Sequence, residues 1–118
     1  MAWARIDDGF HDHPKITRIF DRNPGAVGLL VFAISYCAKH ETDGFIHAGT
    51  VARLSPIQSD RDEQVSVLLE EGALHKHEDG FVVNGYLDYN LSREQIEEKR
   101  EIDRERKRAA RNRKGGSQ

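Results

Sequence analysis

The longest apolar stretch of the sequence runs from Ala26 to Ala38 and is interrupted by Gly28, Ser35 and Tyr36. It is shorter than the roughly 18 to 20 apolar residues that a membrane-spanning helix needs, so we expect no membrane association. Its apolar positions instead form a wide stripe on a helix from Pro24 to about Lys39. A chain of 118 residues has room for a single core, and this helix is predicted to be its central element.

The residues before this helix predict a short strand and a first helix. Residues 3–6 alternate apolar with small or polar side chains, as a strand does. The pair His13-Pro14 is typical of a helix start. Ile16, Ile19 and Phe20 then recur with the spacing of one helix face, and we expect the helix to end at Asn23.

Short elements are predicted after the central helix. A minimal strand covers Phe45 to His47, and a short helix covers about 49–54. A further helix is expected over about 60–71, with Ser59 or Asp60 at a capping-box spacing and Gly72 as its stop. Residues 73–84 read as two strands joined around Asp79-Gly80. The fold class is therefore α+β and mainly α.

The composition changes after Asn90. Ser92 and Gln95 have the spacing of a capping box, which predicts a charged helix beginning there. Residues 104–114 contain seven Lys or Arg and one Glu, whereas the rest of the chain contains eleven Lys or Arg and nineteen Asp or Glu. We expect a domain over 1–90 and, over 91–118, a charged helix followed by a basic, partly disordered tail that ends in disordered residues 115–118. Because the acidic body repels a polyanion, affinity for nucleic acid has to come mainly from the basic segment.

The order of elements indicates a DNA-binding layout. A short helix, a tight turn, a second helix and a two-stranded wing is typical of winged helix-turn-helix domains, which usually place the second helix in the major groove.

The same residues resemble a known family. Trp3 to Phe10 with His13 to Ile16, the element order that follows, and Asp88 to Glu94 running into Arg104 to Arg108 are similar to small phage and prophage winged-helix proteins. These are related to the N-terminal domains of phage replisome organisers and DnaD-like replication initiators. The resemblance implies DNA binding, self-association to a homo-oligomer, and a replication protein as partner.

The candidate DNA-binding residues are basic residues and one amide on the two helices of the motif, the wing and the tail. On and before the second helix of the motif, Arg53 could contact phosphates, and Arg61 and Gln64 could reach phosphates or base edges. Lys76 and His77 lie on the predicted wing. The basic tail supplies the remaining candidates: Arg104, Arg106, Lys107, Arg108, Arg111, Arg113 and Lys114.

Other classes of function find little support in the sequence. It contains no nucleophile elbow, no phosphate-cradling glycine loop and no His-Glu-x-x-His, so we expect no enzymatic activity, no cofactor and no small-molecule ligand. The histidines form close pairs but no four-ligand pattern, and we expect no metal. Trp3, Phe45, Phe81 and Tyr86 are assigned to packing. The single cysteine, Cys37, is expected to be a buried thiol, and the absence of a signal-like start predicts a cytoplasmic protein. The resemblance to phage proteins implies that this cytoplasm is that of a bacterial host.

Two alternatives stay open at this point. A winged-helix transcription regulator would bind a palindromic site as a stable dimer. A protein-interaction module would use the acidic body to bind another protein and the basic tail as a tether.

Overall fold

A computed structural model describes residues 3–116, apart from the side chains at positions 89 and 114–116. It is mainly helical with one small antiparallel sheet, which confirms the predicted α+β, mainly α class. The helices and strands, in chain order, are α1 (Pro14–Arg22), α2 (Pro24–His40), β1 (Phe45–His47), α3 (Ala48–Leu54), α4 (Arg61–Glu70), β2 (Leu74–His77), β3 (Gly80–Val83), α5 (Tyr86–Tyr89) and α6 (Arg93–Gly116).

The starts of α1 and α2 follow from two proline-containing pairs. Pro14 and Pro24 occupy first-turn positions, where the missing N–H costs nothing. The His13 ring accepts a hydrogen bond from the Lys15 N–H, and the Asn23 side chain accepts one from the Ala26 N–H. The predicted bounds of both helices are confirmed to within one residue.

The core lies where α2 is packed by the other elements. Six elements, α1, α2, β1, α3, α4 and β2, contribute fully buried large apolar side chains to the core. These side chains are Ile19, Leu29, Ile46, Val51, Val67, Leu68 and Leu74. Cys37 on α2 is buried as expected, and burial raises the pKa of its thiol. No helix in the described part of the chain is long and apolar enough to cross a bilayer.

The sheet has the strand order β1-β3-β2, with both pairings antiparallel. His77 pairs with Gly80, so the hairpin turn is Glu78-Asp79, and the prediction of a turn around Asp79-Gly80 is wrong by one residue. Gly80 belongs to β3 and faces β1. A Cβ at Gly80 would lie 2.3 Å from the carbonyl oxygen of Ile46, so the glycine serves the close approach of two strands.

The start of α4 does not use the predicted capping box. Asp60 occupies the N-cap position, but no side-chain hydrogen bond caps the helix there. The Asp60 carboxylate instead accepts a hydrogen bond of 2.7 Å from the Asn23 side chain. This contact ties the start of α4 to the junction between α1 and α2.

The N-terminal residues differ from the prediction. Residues 3–8 have no strand pairing, and the Trp3 side chain is 80% exposed. The assignment of Trp3 to packing is therefore wrong, whereas Tyr86 is buried and Phe45 and Phe81 are half-buried. Asn90 fixes this segment: its side chain accepts from the Arg5 N–H at 2.8 Å and donates to the Arg5 carbonyl at 3.1 Å.

The capping box at the start of α6 is confirmed. The Gln95 N–H donates to the Ser92 hydroxyl at 3.1 Å, and the Ser92 N–H donates to the Gln95 side-chain oxygen at 2.9 Å. The helix then continues to Gly116, so residues 115–116, which we expected to be disordered, are helical. Residues 117–118 lie outside the described residues.

We expect Ser92→Ala to weaken the first turn of α6 by about 1 kcal/mol, because the side-chain acceptor for the Gln95 N–H is lost. Amide hydrogen exchange at residues 94–96 should become roughly fivefold faster. Ser59→Ala is the matched control, since Ser59 is exposed and α4 has no side-chain cap. Unchanged exchange in Ser92→Ala would show that the cap contributes nothing to α6.

Candidate nucleic-acid interface

The second half of α6 presents the largest exposed group of cations in the sequence. Every side chain from Asp103 to Arg113 is exposed. Arg104, Lys107, Arg108 and Arg111 share one helix face, because they lie three or four residues apart. Arg106 and Arg113 lie on the opposite side. Lys114 is within the helix, but its side chain lies outside the described part of the chain.

This cationic segment projects away from the core. The molecule measures 66 × 31 × 21 Å, and its radius of gyration is 18.6 Å. A compact chain of this length would have a radius of gyration of about 13.5 Å. A helix of 24 residues spans about 36 Å, which accounts for the long axis. The basic side chains are therefore open to a partner on several sides.

The first half of α6 is attached to the turn that follows α2. The Arg93 N–H donates to the Asp43 carboxylate at 2.7 Å, and the Arg100 guanidinium donates to Glu41 at 2.6 Å. Glu41 and Asp43 both have positive φ angles, of 55° and 56°, in this turn. No local sequence pattern indicates these two contacts, because at least 50 residues separate the partners. Two carboxylates of the acidic body thus hold the base of the basic helix.

Ion pairs along α6 agree in part with the sequence. Glu101 and Arg104 pair as their spacing predicts, and the Arg104 hydrogen bond lowers the pKa of the Glu101 carboxyl. Arg93 pairs with Glu97 at 3.3 Å. Arg100 pairs with Glu41 and not with Glu97, which lies three residues before it on the same helix. Beyond Arg104, the described cations make no ion pair within the chain, so their charge is available.

Helices α3 and α4 are joined by residues 55–60, which include a 3-10 helix at Gln58–Asp60 and are longer than the predicted tight turn. The candidate residues on the two helices have different environments. Arg53 and Arg61 are exposed, and each donates to a neighbour three residues away, Thr50 at 3.1 Å and Gln58 at 3.5 Å. Both guanidinium groups can turn towards a partner, because these neighbouring contacts are exposed and easily exchanged for water.

Gln64 does not face solvent. Its side chain is completely buried beside Gly25, and its oxygen accepts a hydrogen bond from the Ser55 hydroxyl. The prediction that Gln64 reaches a base edge is therefore wrong. The amide links the turn after α3 to α4 and to the start of α2. It therefore holds α3 and α4 in their relative positions.

The carboxylates at the end of α4 are paired within the protein. Arg18 donates to Glu71 at 3.1 Å, and Arg22 donates to both Glu70 and Glu71. The hydrogen bonds from Arg18 and Arg22 to Glu71 lower the pKa of the Glu71 carboxyl, and the bond from Arg18 has the larger effect. At the other end of α4, Asp62 and Glu63 are exposed and make no ion pair with the described residues. Repulsion of a phosphate backbone by α4 is therefore limited to its first turn.

The hairpin of β2 and β3 carries the remaining candidates. Lys76 and His77 are exposed on β2, and the His77 ring lies edge-on to Phe45 at a centroid distance of 6.0 Å. His75 contacts the Asn84 side chain, and His47 lies 3.2 Å from Asp79 in the turn. His47 and His77 both lie opposite Gly80, on the two outer strands of the sheet, and Lys76 is the neighbouring exposed cation on β2.

No protein family, curated protein or solved structure matches this chain. The resemblance to phage winged-helix proteins therefore stays a prediction, and the support for the interface comes from the geometry of its residues. Among the residues that the structure describes, no three His, Cys, Asp or Glu side chains are grouped as a metal site.

Proposed function

We propose that this protein is a non-enzymatic DNA-binding protein of the winged helix-turn-helix type, with the basic half of α6 as its main phosphate-binding element. The observation that carries the proposal is the row of exposed, unpaired cations on one face of α6 from Lys107 to Arg111, continued on the other side by Arg106 and Arg113. Together with Arg104, which pairs with Glu101, these residues make six cations within ten residues. They repel one another, and a polyanion relieves that repulsion.

The winged-helix assignment has support in the element order. Helices α3 and α4, joined by a turn and followed by the β2-β3 hairpin, have the sequence of elements found in such domains. β1 adds a third strand beside the hairpin, and α1 packs against α4 through its arginines. In this assignment α4 is the recognition helix and the hairpin is the wing.

We infer a division of roles between the two parts. The basic half of α6 provides affinity for phosphates without regard to sequence. Arg53 on α3 and Arg61 on α4, with Lys76 and His77 on the hairpin, orient the body on the duplex and add modest specificity. Asp62 and Glu63 at the start of α4 limit how tightly the body alone can bind.

The biological setting follows from the family resemblance. We propose a role in the initiation or control of phage or prophage DNA replication, in the cytoplasm of a bacterial host, with self-association and a replication protein as partner. Transcription regulation is the nearest alternative, and a stable dimer that selects a palindromic site would favour it.

The proposal predicts strongly salt-dependent binding. With seven phosphates contacted, the logarithm of the duplex association constant should fall with the logarithm of salt concentration at a slope of about −6. Fluorescence anisotropy of a labelled duplex titrated with the full chain at several salt concentrations measures this slope. The absence of binding at low salt, or a slope near zero, would contradict the proposal.

A second candidate function is a protein-interaction module. It is favoured by the acidity of the chain outside residues 104–114, which has nineteen Asp or Glu against eleven Lys or Arg. In this alternative the basic helix binds the acidic body of another subunit. Sedimentation analysis separates the two: salt-sensitive oligomers that form without DNA, in a protein that binds no DNA, support the interaction module.

A further inference from the structure

The exposed tryptophan lies beside the first half of α6. Trp3 is the single tryptophan of the chain, and its indole is 80% exposed. Arg5, two residues later, is held by both hydrogen bonds of the Asn90 side chain. Asn90 is itself buried and lies just before the capping box of α6. The indole is therefore kept near the base of the basic helix although it is not buried there.

Trp3 forms one wall of a groove between the N-terminal segment and α6. The groove has a volume of about 470 Å³. Its apolar surface comes from Trp3, Leu91 and Ile96, and Arg5 and Lys99 supply positive charge. Neither Arg5 nor Lys99 forms an ion pair with the described residues, whereas Arg100, which also lines the groove, forms an ion pair with Glu41. The groove thus combines an aromatic face with two available cations.

The helix face that lines the groove leads into the basic half of α6. Ile96, Lys99 and Asp103 line the groove and lie on one side of the helix, because their spacings are three and four residues. Lys107 follows Asp103 by four residues on the same face. Asp103 is the one carboxylate of the groove, and it separates the two cations of the groove from Lys107. A chain of phosphates leaving the groove would meet Lys107 within one further helical turn.

We propose that this groove binds single-stranded DNA, with one base stacked on the Trp3 indole and its neighbouring phosphates on Arg5 and Lys99. The inference rests on the proposed function and deepens it. Aromatic side chains stack on bases whose faces are free, and the bases of an intact duplex are stacked on one another. Cations alone attract both forms of DNA, so the indole is what favours the single strand here.

The test measures binding of an oligothymidylate of about 16 nucleotides, and of a duplex, to the full chain. Because Trp3 is the single tryptophan, its fluorescence reports directly on stacking. We expect the oligothymidylate to quench it strongly. Trp3→Leu should weaken single-strand binding about tenfold and leave duplex binding unchanged, and Trp3→Phe should retain most of the single-strand affinity.

Phe20→Leu is the matched control, because Phe20 is 55% exposed on α1 and does not line the groove. All three substitutions are at exposed positions, so the variants should fold. Unchanged fluorescence at saturation with oligothymidylate, or equal weakening of both forms of DNA by Trp3→Leu, would overturn the inference while leaving DNA binding through α6 intact. Failure of the full chain to bind either form at low salt would overturn the proposed function as well.

Discussion

A variant with glutamine at the six described cations of the basic half of α6 should lose about 1,000-fold in duplex affinity at moderate salt. The substituted residues are Arg104, Arg106, Lys107, Arg108, Arg111 and Arg113. Each cation that contacts a phosphate releases about 0.9 counterion from a duplex, so the salt slope should fall from about −6 to about −1. Glutamine is a good helix former, and the substituted side chains are exposed, so α6 should persist.

The matched control replaces the same arginines with lysine and leaves Lys107 as it is. If charge alone drives binding, this variant keeps both the slope and most of the affinity, because a lysine neutralises a phosphate as an arginine does. Loss of affinity in the lysine variant would show that the guanidinium geometry matters. Full affinity in the glutamine variant would remove α6 from the interface. Anisotropy at several salt concentrations distinguishes these results.

Gly80→Ala should produce the largest loss of stability among the single substitutions considered. The new Cβ would lie 2.3 Å from the Ile46 carbonyl oxygen and 2.9 Å from the His47 Cα, and both are backbone atoms that cannot turn aside. Strand β1 would have to separate from β3, at a cost of about 3 kcal/mol. Thermal unfolding should then occur roughly 12–24 °C lower.

Gly72→Ala is the control for this substitution. Gly72 follows the end of α4 with a positive φ of 77°, and no described atom lies within 4 Å of the position that a Cβ would take. The cost there should be about 1 kcal/mol, from backbone strain alone. Equal effects of the two substitutions would show that contact between β1 and β3 is not what requires a glycine at position 80. Circular dichroism on heating measures both.

Local signals in the sequence were sufficient for most of the elements. Pro14 and Pro24 mark the starts of α1 and α2, and Ser92 with Gln95 marks the start of α6. Each of these signals acts over three or four residues, and the backbone satisfies it locally. The exposure of the basic half of α6 could also be expected, because that segment carries no apolar face long enough to be buried.

The differences between prediction and structure come from contacts between distant residues. Gln64 was expected to reach phosphates or base edges from α4, but its amide pairs with Ser55 inside the protein. Asp60 was expected to cap α4 but accepts from Asn23 instead. Gly80 was expected in a turn, but the approach of β1 places it in a strand. No local sequence pattern indicates these three positions.

The position of Trp3 at the candidate site also depends on a contact between distant residues. An aromatic residue near alternating apolar positions is usually packed, and here the Asn90 contact to Arg5 holds the segment so that the indole faces outward. The groove between Trp3 and Lys99 joins residues almost a whole chain apart. Its components could be read from the sequence, but their proximity could not.

A nuclear magnetic resonance titration of the nitrogen-15-labelled full chain with a duplex of roughly two helical turns, at low salt, shows whether the basic half of α6 contacts DNA. We expect the largest amide shifts over residues 104–113, with smaller shifts at Arg61 and Lys76, and we expect added salt to reverse them. Shifts confined to the body, with residues 104–113 unaffected, would show that α6 is not the phosphate-binding element.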